Sequence, residues 1–143
     1  MTRTYHTTRR VEFSDTDMAG IVHFASFFRF MEGAEHEFLR SLGLSVVLNW
    51  EGMSLGFPRV SASCDFIKPI RFEDVVDIEV RLERVGTKSL TYGFTFRLSD
   101  VDVARGQISC VCCRLDPGEH RIESVEIPAG IRARLLGEPA LPA

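Results

Sequence analysis

The chain has 143 residues, 45% of them hydrophobic and 26% charged, which fits one globular domain. Its net charge of -3 argues against a general nucleic-acid binder, since such proteins usually carry a basic face. No apolar run is long enough to span a bilayer, and the polar residues 1–10 show no signal-peptide pattern. We therefore expect one domain over residues 1–143, with 137–143 as a frayed tail, a cytoplasmic location, and no membrane or nucleic-acid partner.

The first part of the chain predicts a strand and then a long helix. Residues 5–13 are rich in β-branched side chains, which favours a strand. Over residues 24–42, apolar side chains recur at three- and four-residue steps, with Glu35 as the exception, and Gly43 ends the pattern. Residues 45–57 are predicted to form a loop.

Strands dominate the second part. They are predicted over residues 59–67, 76–82, 90–98, 104–115 and 121–127, before a short helix at 128–136. Short turns between strands favour antiparallel pairing. The predicted class is α+β, with an antiparallel sheet of about five strands wrapped around one long central helix. A single helix covers only one face of such a sheet, so we also expect the chain to form oligomers.

The four cysteines do not predict a metal site. Cys110, Cys112 and Cys113 lie close together, and Cys64 stands apart, without the paired spacing that zinc sites use. Free cysteines are among the most buried residues, so we interpret these as small apolar side chains on strands.

The segment 15–24 is the most promising place for chemistry. It joins the first strand to the start of the helix, where free backbone N–H groups suit a developing oxyanion. Gly20 permits a tight turn, and Asp17 could act as a nucleophile or general base. An Asp before a helix is more often a cap, and a lone His such as His23 is more often structural, so the residues alone leave both interpretations open.

Three landmarks resemble the 4-hydroxybenzoyl-CoA thioesterase family. Residues 13–27, FSDTDMAGIVHFASF, are similar to its signature of an aromatic residue, two aspartates and a glycine before the helix. Residues 63–74, SCDFIKPIRFED, and 86–92, GTKSLTY, resemble the second and third landmarks. The likeness covers about residues 5–135 and implies the hotdog fold and an acyl-CoA thioesterase activity.

The resemblance assigns roles in the first landmark. It implies that Asp17 is the catalytic carboxylate, acting as nucleophile or general base, and that the backbone N–H of Phe24 polarises the thioester carbonyl. Gly20 and His23 belong to the loop that shapes the reaction centre, and Asp15 holds the turn. Many members that act on short aliphatic acyl groups carry His where this chain has Phe24. The phenylalanine is more similar to members acting on aromatic acyl-CoAs, such as 1,4-dihydroxy-2-naphthoyl-CoA thioesterase.

The resemblance also implies how the rest of the substrate is bound. Lys88 and Ser89 match positions near the CoA phosphates or the pantetheine arm, and a lysine suits a phosphate as a point charge. The family places its site between subunits, so Arg59 or Lys88 of a neighbour could complete it, in a homodimer or homotetramer. No cofactor or metal is implied, because CoA is part of the substrate.

Other activities remain as alternatives. An acyl-carrier-protein thioesterase is the nearest, although the acidic balance of the chain argues mildly against an acidic partner. A hotdog hydratase or dehydratase would need a histidine with an acidic partner around the helix. A non-catalytic acyl-CoA-binding protein would normally carry a further DNA-binding segment.

Overall fold

The computed structural model describes residues 3–116 and 118–138. Of the predicted tail at 137–143, residues 139–143 lie outside the described part of the chain. The described residues form two α-helices, α1 (Phe24–Ser41) and α2 (Ala129–Leu136), and one 3₁₀ turn at Phe13–Asp15. The described strands are β1 (Arg3–Arg10), β2 (Val47–Trp50), β3 (Met53–Gly56), β4 (Arg59–Phe66), β5 (Val75–Val85), β6 (Ser89–Leu98), β7 (Val101–Val111), β8 (Cys113–Asp116) and β9 (Arg121–Ser124).

The strands form two antiparallel sheets. The larger has the order β1-β5-β6-β7-β4, and the smaller has the order β2-β3-β8-β9. This confirms the α+β class, while the expected count of about five strands describes the larger sheet only. The predicted strand at 104–115 is divided, because the chain passes from the first sheet to the second at Cys112, between β7 and β8.

The prediction of a loop at 45–57 was wrong, since this segment forms the hairpin β2–β3. Its two turn residues, Glu51 and Gly52, have φ angles of 50° and 81°. Positive φ at both central residues matches the twist of a two-residue hairpin turn. Glutamate is an uncommon residue at positive φ, so the sequence carries little signal for this turn.

Helix α1 lies on the larger sheet and buries an aromatic face against it. The ring of Phe27 meets that of Phe96 edge to face at 5.5 Å between centroids, and Phe38 meets Tyr92 at 6.2 Å. Gly106 on β7 leaves room for Met31, whose Cε would be 2.1 Å from a Cβ at that position. The sheet and the helix therefore approach closely along the whole length of α1.

Strand β4 is an edge strand of the larger sheet. It pairs with β7 on one side, and no described strand pairs with its other side. Its side chains are mostly exposed, including the apolar Val60 and Phe66. An exposed apolar edge strand can pair with another chain, so β4 is the part of this fold most suited to a second copy.

Three cysteines are buried, and Cys64 is partly buried; all four are free thiols. Burial raises the pKa of the Cys110 thiol to about 12, and raises the pKa values of Cys64 and Cys112 to about 11. Within the described ranges, neither helix has the length and apolar character needed to cross a membrane.

Candidate active site

The loop between β1 and α1 is fixed at both ends by backbone hydrogen bonds. The N–H of Val11 donates to the carbonyl of Asp74 at 2.8 Å, and the N–H of Val22 donates to the carbonyl of Ile70, also at 2.8 Å. Both acceptors belong to the segment that connects β4 to β5. The loop therefore lies against that segment and has a defined conformation at its two ends.

Asp15 is a structural residue of this loop. It is only 4% exposed, and its Oδ2 accepts a hydrogen bond from the N–H of Glu12 at 2.8 Å. Its carbonyl accepts from the N–H of His23 and from the hydroxyl of Ser26, both at 2.9 Å. These bonds tie the turn to the start of α1, in the role that the sequence predicts for this aspartate.

Asp17 has a different environment from Asp15. Its Oδ1 accepts from the N–H of Ala19 at 2.9 Å, whereas its Oδ2 has no hydrogen-bond partner among the described residues. The main chain turns directly after it, where the N–H of Gly20 donates to the Asp17 carbonyl at 3.0 Å. Gly20 has φ = 79°, and a Cβ there would meet no atom within 4 Å, so the backbone conformation alone requires glycine. The loop thus orients one carboxylate oxygen and leaves the other free.

The start of α1 presents one free donor beside this carboxylate. His23 caps the helix, because its Nδ1 accepts from the N–H of Ala25 at 3.1 Å and its carbonyl accepts from the N–H of Ser26 at 2.8 Å. A neutral imidazole that accepts at Nδ1 carries its proton on Nε2. The N–H of Phe24 has no partner within the described chain, and it lies at the positive end of an 18-residue helix.

Asp17 and Phe24 line the same cleft, which has a volume of about 400 Å³. Its floor consists of buried apolar side chains, and its walls come from the end of β4 and the residues after it. The lining residues other than these two are Ile21, Val22, Phe27, Phe66, Ile67, Lys68, Pro69 and Ile70. Asp17 and Lys68 are the charged residues of an otherwise apolar lining, so a carboxylate faces an apolar space with a helix N-terminus at its side.

A second cleft, of about 460 Å³, meets the first one at Asp17. Phe13, Met18 and Phe72 form its apolar surface, and the rings of Phe13 and Phe72 meet edge to face at 6.0 Å. Phe13 is 78% exposed, and Met18 is also exposed. Contiguous exposed apolar surface of this kind usually marks a binding site. Asp17 therefore lies where two apolar clefts join.

The remaining predicted site residues lie at the opposite end of the larger sheet. Arg59 begins β4 and pairs with Cys110, which pairs in turn with Leu90, the residue after Ser89. The first cleft is lined instead by Phe66, at the other end of β4. Strand β4 has eight residues, and its seven steps of roughly 3.3 Å separate these ends by about 23 Å. Within one chain, Asp17, Gly20, His23 and Phe24 therefore lie close together at the start of α1. Arg59, Lys88 and Ser89 lie at the opposite end of the larger sheet.

Arg59 has a partner that the sequence interpretation missed. Both carboxylate oxygens of Glu35 accept hydrogen bonds from its guanidinium, and the Glu35 side chain is 1% exposed. Burial raises the pKa of Glu35, and the bonds from Arg59 offset only part of that effect. The available signal was the single charged residue in the apolar stripe of α1. A cavity of about 310 Å³ lies beside this pair, also lined by Glu32 and His36.

The described residues contain no group of three His, Cys, Asp or Glu side chains that could hold a metal ion. The reactive groups that the cleft brings together are a carboxylate and a backbone donor. Together, a carboxylate with one free oxygen and an N–H at a helix start suit attack on a carbonyl group.

Comparisons with known proteins identify the family of this chain. The model of the thioesterase-like superfamily matches residues 11–135. A 1,4-dihydroxy-2-naphthoyl-CoA hydrolase of Synechococcus sp. (strain CC9311) is 32% identical over 107 residues, covering 70% of this chain and 70% of the relative.

Two solved structures are similar over almost the whole chain. A gentisyl-coenzyme A thioesterase aligns with a TM-score of 0.75 at 29% identity, covering 93% of this chain and 99% of that one. The 4-hydroxybenzoyl-CoA thioesterase of Pseudomonas sp. strain CBS-3 aligns with a TM-score of 0.79 at 23% identity, covering 92% and 99%. This second likeness concerns the fold alone, and it is the hotdog arrangement that the sequence landmarks imply. The predicted family resemblance is confirmed.

Proposed function

Because this chain belongs to the thioesterase-like superfamily, we propose that it hydrolyses an aromatic acyl-CoA to the free acid and CoA. The observation that carries the proposal is the pairing of Asp17 with the unpartnered N–H of Phe24 in one apolar cleft. The relative that acts on 1,4-dihydroxy-2-naphthoyl-CoA and the gentisyl-CoA thioesterase support the aromatic acyl group.

The site residues divide the work as follows. The N–H of Phe24 donates to the thioester oxygen and stabilises the negative charge that develops there, and the helix dipole adds to this effect. The free Oδ2 of Asp17 either attacks the carbonyl carbon, giving a mixed anhydride that water then hydrolyses, or removes a proton from the attacking water. In both routes water supplies the new carboxyl oxygen, and the CoA sulfur leaves and takes up a proton.

We further propose that two copies of the chain, each a single domain, pair through β4. Antiparallel pairing of two equivalent edge strands places the Phe66 end of one copy beside the Arg59 end of the other. This arrangement brings Lys88, Ser89 and Arg59 of a second copy towards Asp17, so that one site draws on both chains. The exposed edge of β4 and the 23 Å separation within one chain, about the length of that strand, support this pairing.

Thiol release from a panel of acyl-CoAs tests the proposed reaction. We expect Asp17→Asn to lower kcat by roughly 10²–10⁴-fold with little change in KM, because the amide keeps the shape but cannot act as a base or nucleophile. Asp77→Asn is the matched control, since Asp77 is exposed on β5 and lines neither cleft. Full activity in Asp17→Asn would overturn the assigned mechanism, and no thiol release by the wild type would overturn the activity.

A further inference from the structure

Lys68 is a charged residue of the first cleft to which the proposed reaction gives no role. It lies two residues after the end of β4, and the backbone N–H groups of Ile67 and Lys68 both donate to the carbonyl of Val103, at 2.9 and 3.0 Å. Pro69 comes next and restricts the backbone further. The position from which the side chain starts is therefore fixed beside the cleft that contains Asp17.

The ammonium of Lys68 has no carboxylate partner within 4.0 Å among the described residues. Six of the ten arginines on the described strands differ in this respect, because each pairs with an acid: Arg59, Arg81, Arg97, Arg105, Arg114 and Arg121. An exposed lysine is often simply solvated. Lys68, however, borders an apolar cleft whose other charged lining residue is Asp17.

The two clefts differ in how much of a ligand they can bury. This difference indicates which cleft binds the acyl group and which binds the CoA arm. The first cleft has a floor of Val22, Phe27 and Ile70, all buried, below a rim that includes exposed side chains such as Phe24 and Phe66. The second is bounded by exposed side chains such as Phe13 and Met18. A compact aromatic acyl group loses more water-exposed surface in the first cleft, whereas a long thiol arm can lie along the open second one.

The dimensions of the cleft decide which part of the substrate Lys68 can reach. A volume of about 400 Å³ corresponds to a sphere roughly 9 Å across, and Asp17 and Lys68 both border it. The arm between the CoA sulfur and the nearest phosphate contains 13 bonds and extends for roughly 16 Å at ordinary bond lengths. With the thioester at Asp17, the phosphates therefore lie beyond this cleft, while the acyl ring lies within it.

We propose that Lys68 is a specificity residue that binds an oxygen substituent on the acyl ring, a hydroxyl, phenolate or carboxylate. The inference rests on the proposed function and goes beyond it by assigning Lys68 a role in substrate selection. Lysine donates to such oxygens, and a hydrogen bond from a charged donor is stronger than one from a neutral donor. An unsubstituted benzoyl or aliphatic acyl group leaves the ammonium without this contact.

The test compares kcat/KM for benzoyl-CoA with the values for its hydroxybenzoyl regioisomers, in the wild type, Lys68→Met and Lys68→Arg. We expect Lys68→Met to lower the preference for the best hydroxylated substrate by roughly tenfold, mainly through KM. Lys68→Arg keeps a positive donor and should retain most of the preference. Arg121→Met, which removes an exposed charge on β9, is the control for net charge.

The same acids are also assayed as N-acetylcysteamine thioesters, which lack the CoA phosphates. An equal loss of preference in both series supports a contact with the acyl ring. A loss confined to the CoA esters would instead indicate a phosphate contact and overturn the inference, as would equal losses for benzoyl and hydroxybenzoyl groups or no change at all. These outcomes all require an active wild type, whereas absence of any thiol release contradicts the proposed function itself.

Discussion

At the residue scale, two aspartates only two positions apart have opposite environments. Asp15 is buried and hydrogen-bonded on both its side chain and its carbonyl, whereas Asp17 keeps one carboxylate oxygen free. The residues alone could not distinguish them, because both precede a helix and both suit a cap. The family landmark assigned the roles, and the local hydrogen bonds give the physical reason for Asp15.

Glu35 is the residue that sequence reasoning could not explain. It occupies a core position on α1, where an unpaired carboxylate is very unfavourable, and its partner Arg59 lies 24 residues away in the chain. No short-range pattern connects the two residues. The sequence therefore showed that Glu35 was unusual, but the identity of its partner depends on how β4 passes α1.

This pair predicts a pH-dependent loss of stability in Arg59→Met. Removing the guanidinium leaves a buried carboxylate uncompensated, at a cost of about 3 kcal/mol in the free energy of unfolding. Burial already raises the pKa of Glu35, so the folded protein binds this proton more tightly than the unfolded chain. Stability then falls as the pH rises from the ordinary carboxyl value through the raised one.

Urea unfolding at about pH 5 and about pH 8 measures this effect, and we expect the larger loss at the higher pH. The double variant Glu35→Gln/Arg59→Met removes both charges, so it should recover much of the stability and lose the added pH dependence. A pH-independent loss in Arg59→Met alone would show that the charge of Glu35 is not its cause.

At the scale of elements, the strongest periodic patterns gave the most reliable predictions. Helix α1 and strand β6 occur close to their predicted bounds, because few other structures satisfy such long periodic runs. Helix α2, predicted from the proline at its start, also lies close to its predicted bounds. The hairpin β2–β3 was missed, since its strands have four residues each and its turn contains a glutamate. Its pairing with β8 is a long-range contact without a local signal.

The beginning of α1 allows a test that separates capping from chemistry. His23→Ala removes the side-chain acceptor for Ala25, and we expect a loss of about 1 kcal/mol in stability with a lower kcat, because the neighbouring Phe24 N–H is held less firmly. Asparagine is also a good capping residue, so His23→Asn should retain both properties.

Thermal or urea unfolding and thiol release, measured on the same preparations, check this prediction. A His23→Asn protein that is as stable as the wild type but nearly inactive would contradict it. That result would assign the imidazole a direct role in the reaction.

At the scale of the whole molecule, the two ends of the larger sheet carry different predicted site residues. Asp17 and its clefts lie at one end of the larger sheet, and Lys88, Ser89 and Arg59 lie at the other. Sequence reasoning identified both groups but could not show their separation, which depends on the order of the strands. The separation follows once β4 is placed at the edge beside β7.

Mixing two inactive variants tests whether a second copy completes the site. Asp17→Asn and Lys88→Met are each expected to be impaired, and a mixed dimer of the two contains one site with both residues intact. Random exchange of subunits should therefore restore about a quarter of wild-type sites. The assay uses substrate below KM, after the subunits have been dissociated and reassembled together.

Mixing Asp17→Asn with the double variant Asp17→Asn/Lys88→Met is the control, because no combination of those chains contains an intact Asp17. No recovery in the first mixture, with mixed dimers demonstrated by native mass spectrometry, would place Lys88 and Asp17 of each site on one chain.

The free cysteines of this chain affect how the thiol product of the reaction can be measured. A thiol with a pKa of about 11, such as Cys64 or Cys112, is ionised in roughly one molecule in ten thousand at neutral pH. Disulfide exchange proceeds through the thiolate, so we expect these two thiols to react slowly with a disulfide reagent. A disulfide dye should therefore report the CoA thiol that the reaction releases, with little contribution from Cys64 and Cys112.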